Sequence, residues 1–185
     1  MSTKNKERHQ QSNFSFRIIA MMHDNPLLPY FRNPYELLQA AGLKQGQQVL
    51  EVGCGPGYFT IPAANIVGTE GFVFAVDVHP LAIERVKEKI ADAGIRNVKL
   101  MLASAADTKL PDQGIDLVFL FGLRYIAGGL ENVLNELHRI LKPGGILSFE
   151  QTRGSAKRLI EEVERKGFRY SGNQRRIFIF TRNND

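Results

Sequence analysis

"VLEVGCGPGYFT", residues 49–60, decides how the rest of the chain is read. A short apolar run is followed by Gly53, Gly55 and Gly57 and then by a helix-like pattern. A strand, a glycine turn and a helix start together form a nest of backbone N–H groups beside a positive helix end. Glycines there allow unusual backbone angles and the close approach of a ligand to bare main chain. The spacing is G-x-G-x-G, with Glu51 two residues ahead of it and Tyr58 where the dinucleotide code G-x-G-x-x-G requires glycine. Nicotinamide dehydrogenase chemistry is therefore the least favoured reading. A second strand ends in Asp77, twenty residues after Gly57. A carboxylate at that point can accept both hydroxyls of a ribose, so the pair of features points to a nucleoside.

Working outward, apolar runs of strand length alternate with helical patterns from Gln47 onward. Strands are expected at "QQVLEVG", "GFVFAVDV", "NVKLMLA", "IDLVFLF" and "GILSFE", and helices at "YFTIPAANIVG", "PLAIERVKEKIADAG" and "LENVLNELHRILKPGG". Leu81, Ile83, Val86 and Ile90 keep roughly helical spacing with charges between them. This alternation implies parallel strand pairing, and the near-continuous Val, Leu, Ile and Phe of the strands implies a sheet covered on both faces. At the end, "SAKRLIEEVERKGF" reads as a helix and "RYSGNQRRIFIFTR" as a hairpin turning at Gly172 and Asn173. Residues 1–13 read as a polar disordered tail. Residues 14–46 form an N-terminal helical or cap segment, in which Asn33 and Pro34 start a helix that Gly42 stops. Phe14, Phe16, Tyr30 and Phe31 make that segment too apolar for a free linker. Residues 47–185 make up the main domain; there is no internal repeat and no second domain.

With 185 residues the chain suits a single domain with a full core. One cysteine, Cys54, excludes an internal disulfide framework and a multi-cysteine zinc site, and it reads as a small packing residue. No metal site is expected from the four scattered histidines. No apolar run approaches the roughly 18 residues of a membrane span, and the polar start is unlike a secretory signal, so a cytoplasmic location is expected. The formal charge of +5 is uneven: residues 1–20 carry +3, residues 21–150 carry −3 and residues 151–185 carry +5. Basic ends of this kind can attract RNA or simply form a solvated surface.

"VLEVGCGPGYFT", then "VFAVDV", then "LHRILKPGG" before a strand resembles the class I S-adenosylmethionine-dependent methyltransferases, over roughly residues 43–150. The resemblance implies an α/β, Rossmann-like, doubly wound seven-stranded sheet, mostly parallel with an antiparallel last strand, in a single domain. It implies S-adenosyl-L-methionine as cofactor. Gly53, Gly55 and Gly57 would pass under its methionine part, with Glu51 supporting the loop and the ammonium. Asp77 would hold the ribose hydroxyls and Val78 would pack on the adenine. Ser104 and Ala105 fall where the family has an aspartate and an alanine reading the adenine. A neutral hydroxyl at 104 is a weaker acceptor than a carboxylate, and Asp107 stands close enough in sequence to compensate. Phe121 would border the methionine and the transferable methyl.

Displacement at a sulfonium methyl needs alignment and exclusion of water more than a general base. No catalytic residue is assigned on that ground. Tyr125, after the fourth strand, and Tyr30 and His23, in the segment before the domain, are the candidates to orient or deprotonate an acceptor. "LFGLRY" lacks the Asn-Pro-Pro-Tyr type of motif that holds a planar exocyclic amine, which disfavours DNA adenine methylation. The nearest likeness is to small-molecule enzymes of the quinone-biosynthesis kind, so a small, partly apolar acceptor is expected. The alternatives are an RNA methyltransferase using the basic termini and a cofactor-binding module without catalysis.

Overall fold

The structure is a computed structural model that describes residues 18, 21, 25, 27–123, 126–151 and 154–184, and of Tyr30 only the backbone. Ahead of the sheet lie α1 (Leu28–Phe31) and α2 (Pro34–Ala40), and Ile18 and Met21 are also helical. Then follow β1 (Gln48–Val52), α3 (Thr60–Val67), β2 (Phe72–Asp77), α4 (Pro80–Asp92), β3 (Val98–Leu102), β4 (Ile115–Leu120) and α5 (Leu130–Ile140). The chain closes with β5 (Leu141–Glu150), α6 (Ala156–Glu164), β6 (Phe168–Gln174) and β7 (Ile177–Arg182). One seven-stranded sheet has the order β3-β2-β1-β4-β5-β7-β6. β1 to β5 pair in parallel, and β7 runs antiparallel to both β5 and β6. The expected sheet, including its reversed last strand, is the one observed.

Strand periodicity explains the layering. On β1, Val49 packs against α2 and α3 through Leu38, Ala63 and Val67, whereas Leu50 packs against α5 through Leu134 and Leu137. Leu117 and Val118 of β4 divide the same way. Both faces of the central strands are thus buried, as continuous apolar runs require. Each fully buried leucine contributes about 1.5–3 kcal/mol, more than a typical exposed ion pair of about 0–1 kcal/mol. The core therefore holds the fold, and the charges of the helices decorate it.

Local rules account for the helix starts. Asn33 accepts a hydrogen bond from Tyr35 N, with Pro34 in the first turn; His79 accepts from Leu81 N, with Pro80 following; Ser155 accepts from Arg158 N. Three expectations need correction. The hairpin does not turn at Gly172 and Asn173: β6 continues through both, with a register shift between Tyr170 and Gly172, and the chain reverses at Arg175, where φ is +54°. The glycine marks an irregularity in the strand rather than its end. The third helix ends at Ile140, and "LKPGG" belongs to β5 as a bulge opposite Ile115–Leu117. Finally, Phe31 is 88% exposed; the N-terminal segment is anchored instead by Leu28 and Leu38 in the core and by Arg32. Residues 1–13, with Phe14 and Phe16, lie outside the described residues.

Candidate functional site

The strand order reverses between β2-β1 and β4-β5, and the glycine loop leaves the carboxyl end of β1 at that switch point, where open α/β sheets bind ligands. Gly53 N and Cys54 N both donate to Val76 O, at 2.7 and 3.1 Å, which carries the β1–β2 ladder past the strand end. All three glycines then take positive φ: +73°, +51° and +85° for Gly53, Gly55 and Gly57. Their surroundings differ. A Cβ at Gly53 would stand 2.3 Å from Leu123 Cδ2, and one at Gly57 3.1 Å from Val86 Cγ2. A Cβ at Gly55 would meet nothing within 4 Å. Gly53 and Gly57 are bare because protein packs on them; Gly55 is bare toward open space.

Asp77 closes the loop from the other side. Its Oδ2 accepts from Gly55 N at 2.9 Å and its Oδ1 from His79 N at 2.8 Å. A single carboxylate thus ties the glycine loop to the start of α4 and keeps lone pairs for further donors. Asparagine could not replace it, because its amide group would face one of the two N–H donors. Asp77, Val78, Gly53 and Ala105 line one cleft of about 100 Å³, whose outer wall is Leu123, Ile126 and Ala127. Val78 is 53% exposed at its mouth. Common ligand sites occupy about 300–1,000 Å³, so this cleft alone is smaller than the site of a whole nucleoside.

Beneath the loop, Glu51 is 2% exposed, and Thr60 Oγ1 donates to its Oε2 at 2.6 Å. Burial pushes this carboxyl up to about 8; the Thr60 hydrogen bond works against the rise and the Asp77 charge adds to it. Thr60 begins α3, whose N-cap residue Phe59 has no side-chain acceptor, and the Thr60 hydroxyl serves Glu51. Cys54 is buried beside Ala75 and Val86, and burial with the Glu51 and Asp77 charges pushes its thiol up, so it packs as a neutral side chain.

The remaining expected residues are divided. Ser104 sits next to the cleft with its Oγ accepting from Ala106 N at 3.2 Å. Asp107 is no substitute for it: the side chain pairs with Lys109 at 2.9 Å on the surface. Phe121 is buried between Phe59 and Phe119, with both ring centroids 5.2 Å away, and does not line the cleft. Tyr125 and His23 lie outside the described residues, as does the Tyr30 side chain. Among the described residues no group of three His, Cys, Asp or Glu could hold a metal, and no helix is long and apolar enough to cross a membrane.

Sequence reasoning missed Thr60, Leu123 and the Arg32–Glu150 ion pair. Arg32 stacks over Phe59 at 4.9 Å, and Glu150 also accepts from Gly122 N at 2.9 Å. Nothing local in sequence marks these, since 118 residues separate the ion-pair partners.

Comparison with known proteins then decides the family. The methyltransferase domain family matches residues 43–180, which spans the sheet from the strand before the glycine loop into β7. The chain belongs to that family. Among its relatives, the demethylmenaquinone methyltransferase of Geobacillus stearothermophilus is 35% identical over 112 residues, 60% of this chain and 47% of the relative. That of Listeria monocytogenes serotype 4a is 34% identical over 114 residues, 61% of this chain and 48% of the relative. The chain spans about half the length of the curated relatives it matches. A crystal structure of a SAM-dependent methyltransferase from Aquifex aeolicus superposes with a TM-score of 0.76 at 26% identity, covering 88% of this chain and 95% of that one. The domain is a class I methyltransferase domain whose family cofactor is S-adenosylmethionine. The residues fit that group: an open main-chain loop at Gly55, a carboxylate on its far side at Asp77 and a buried carboxyl beneath at Glu51.

For the methyltransferase domain, Asp77→Ala is expected to weaken S-adenosylmethionine binding by about 1–3 kcal/mol, because it removes a charged acceptor and frees the Gly55 amide. Titration calorimetry checks this, and an unchanged affinity would remove Asp77 from the cofactor site.

Proposed function

We propose that this protein moves the methyl group of S-adenosylmethionine to a small, partly apolar acceptor of the quinone type, in the cytoplasm. The observation that carries the reading is a second, larger cavity adjoining the cleft. It occupies about 730 Å³ at the carboxyl ends of β4 and β5 and shares Leu123 and Ile126 with the cleft of Asp77 and Val78. Its walls include Leu120, Leu130, Phe149 and Leu159, which suit an apolar ring. The names of the relatives in Geobacillus and Listeria point to the same acceptor class.

The cofactor supplies an electrophilic sulfonium methyl. In this reading the chain aligns and encloses it. The Gly53–Gly57 loop underlies the methionine part, with Glu51 facing its ammonium, Asp77 takes the ribose hydroxyls, and Val78, Ser104 and Ala105 flank the adenine. Arg32 ties residues 27–46 to the carboxyl end of β5 by its ion pair with Glu150. Leu123 and Ile126, which line both cavities, then flank the reacting pair and exclude water from it.

The test is turnover of a reduced 1,4-naphthoquinone carrying a short isoprenoid tail, followed by mass spectrometry. The expected product is heavier by one methylene, with formation of the thioether. Saturable cofactor binding with no methylated product would overturn the acceptor class, and salt-sensitive RNA binding accompanied by RNA methylation would replace it.

A further inference from the structure

Glu150, the last residue of β5, is a carboxylate that anchors Arg32 and also faces the larger cavity. Its side chain is 6% exposed. One oxygen, Oε2, takes both of its bonds, from Arg32 Nη2 and from Gly122 N. Among the described residues nothing donates to Oε1, and Glu150 is part of the wall of the 730 Å³ cavity. Oε1 is not sealed in the core: it keeps accessible surface, and its lone pairs are open to a further donor.

We infer that Glu150 Oε1 is the hydrogen-bond acceptor for a hydroxyl on the ring of the methyl acceptor. Charge argues for a neutral O–H rather than an ammonium. Arg32 already balances the carboxylate, so a second cation would meet little net attraction, whereas a hydroxyl needs only the remaining lone pairs. Leu120, Phe149 and Leu159 can cover the faces of the ring, with Ser155, Arg158 and Glu162 elsewhere in the lining. Position adds to this. Glu150 binds the amide of Gly122, which directly follows Phe121 at the end of β4, and Leu123 beyond it lies over Gly53 of the cofactor loop. A ring hydroxyl bonded at Oε1 is thus fixed next to the wall that separates the two cavities. Donation of that hydroxyl to a carboxylate raises the electron density of the ring that attacks the methyl group. Arg32 is a positioning residue here, acting through Glu150.

The inference rests on the methyl-transfer reading for the identity of the cavity, and a binding experiment separates the two. The probes are 1,4-dihydroxynaphthalene and its dimethyl ether, under reducing conditions, with the product thioether S-adenosylhomocysteine saturating the cofactor site. The wild-type protein is expected to bind the dihydroxy ring at least tenfold more tightly than the ether. Glu150→Gln is expected to bring the two within threefold while S-adenosylhomocysteine affinity stays unchanged. Leu159→Trp, which fills the cavity, is expected to abolish binding of both rings. Should Glu150→Gln fail to hold S-adenosylhomocysteine, Glu150→Asp decides, because it keeps the charge for Arg32 and withdraws the oxygen from the cavity. Equal binding of the two rings by the wild type, or retained discrimination in both Glu150 variants, overturns the inference. Selective binding of the dihydroxy ring without methyl transfer to the quinol keeps Glu150 in this role and removes the proposed acceptor.

Discussion

Gly55→Val abolishes S-adenosylmethionine binding, a loss of at least a hundredfold, and leaves the fold in place. A side chain at Gly55 meets no protein atom within 4 Å, so it neither displaces the core nor breaks the β1–β2 ladder. It projects instead into the open face of the loop, which is the proposed seat of the cofactor. The backbone there has φ of +51°, which costs a non-glycine residue about 1–2 kcal/mol. Gly46→Val supplies the control for that cost. Gly46 also has positive φ, +80°, and open space around its Cα, but it sits between α2 and β1 at the opposite end of β1. Both variants should lose similar stability in urea; only Gly55→Val should lose the cofactor in titration calorimetry. Unchanged affinity in Gly55→Val would mean the loop does not touch the ligand.

Glu51 gives the second large effect, read in stability against pH. Its carboxyl titrates near 4.5 when the chain is unfolded and is pushed up to about 8 by burial in the fold. Between those values the folded protein holds one more proton than the unfolded chain, so stability falls as pH rises, by about 1.4 kcal/mol per unit. The loss is complete above the folded value and amounts to a few kcal/mol. Glu51→Gln keeps an oxygen for the Thr60 hydroxyl and removes the titration. The variant should match the wild type within about 1 kcal/mol at pH 5 and exceed it by a few kcal/mol at pH 9, measured by urea unfolding without cofactor. The same substitution should weaken S-adenosylmethionine binding, since the carboxyl that ionises beside the cofactor's ammonium is gone. Wild-type binding at pH 7 should release a proton, visible as heats that depend on the buffer. A stability difference that does not change with pH would contradict the assignment.

The parts of this account that were legible in sequence are those set by local rules. Five strands and five helices follow from apolar periodicity and from Asn33–Pro34 and Pro80 at helix starts, and the glycine spacing marks the turn after β1. The failures lie where tertiary contacts override local signals. Gly172 looked like a turn, but pairing with β7 carries β6 through it. The aromatic residues before the domain imply a docked segment, but Phe31 is exposed and Arg32 next to it makes the anchor by reaching Glu150. The packing of Phe121 between Phe59 and Phe119 is likewise set by residues distant in sequence. Glycines 53, 55 and 57 were indistinguishable in sequence, and only their neighbours show that Gly55 alone faces open space.

Titration of the wild-type protein with S-adenosylmethionine, and separately with S-adenosylhomocysteine, tests the central claim most directly. Saturable binding of one molecule per chain, lost in Gly55→Val and weakened in Asp77→Ala, is the predicted result. No binding of either compound at millimolar concentration would contradict it.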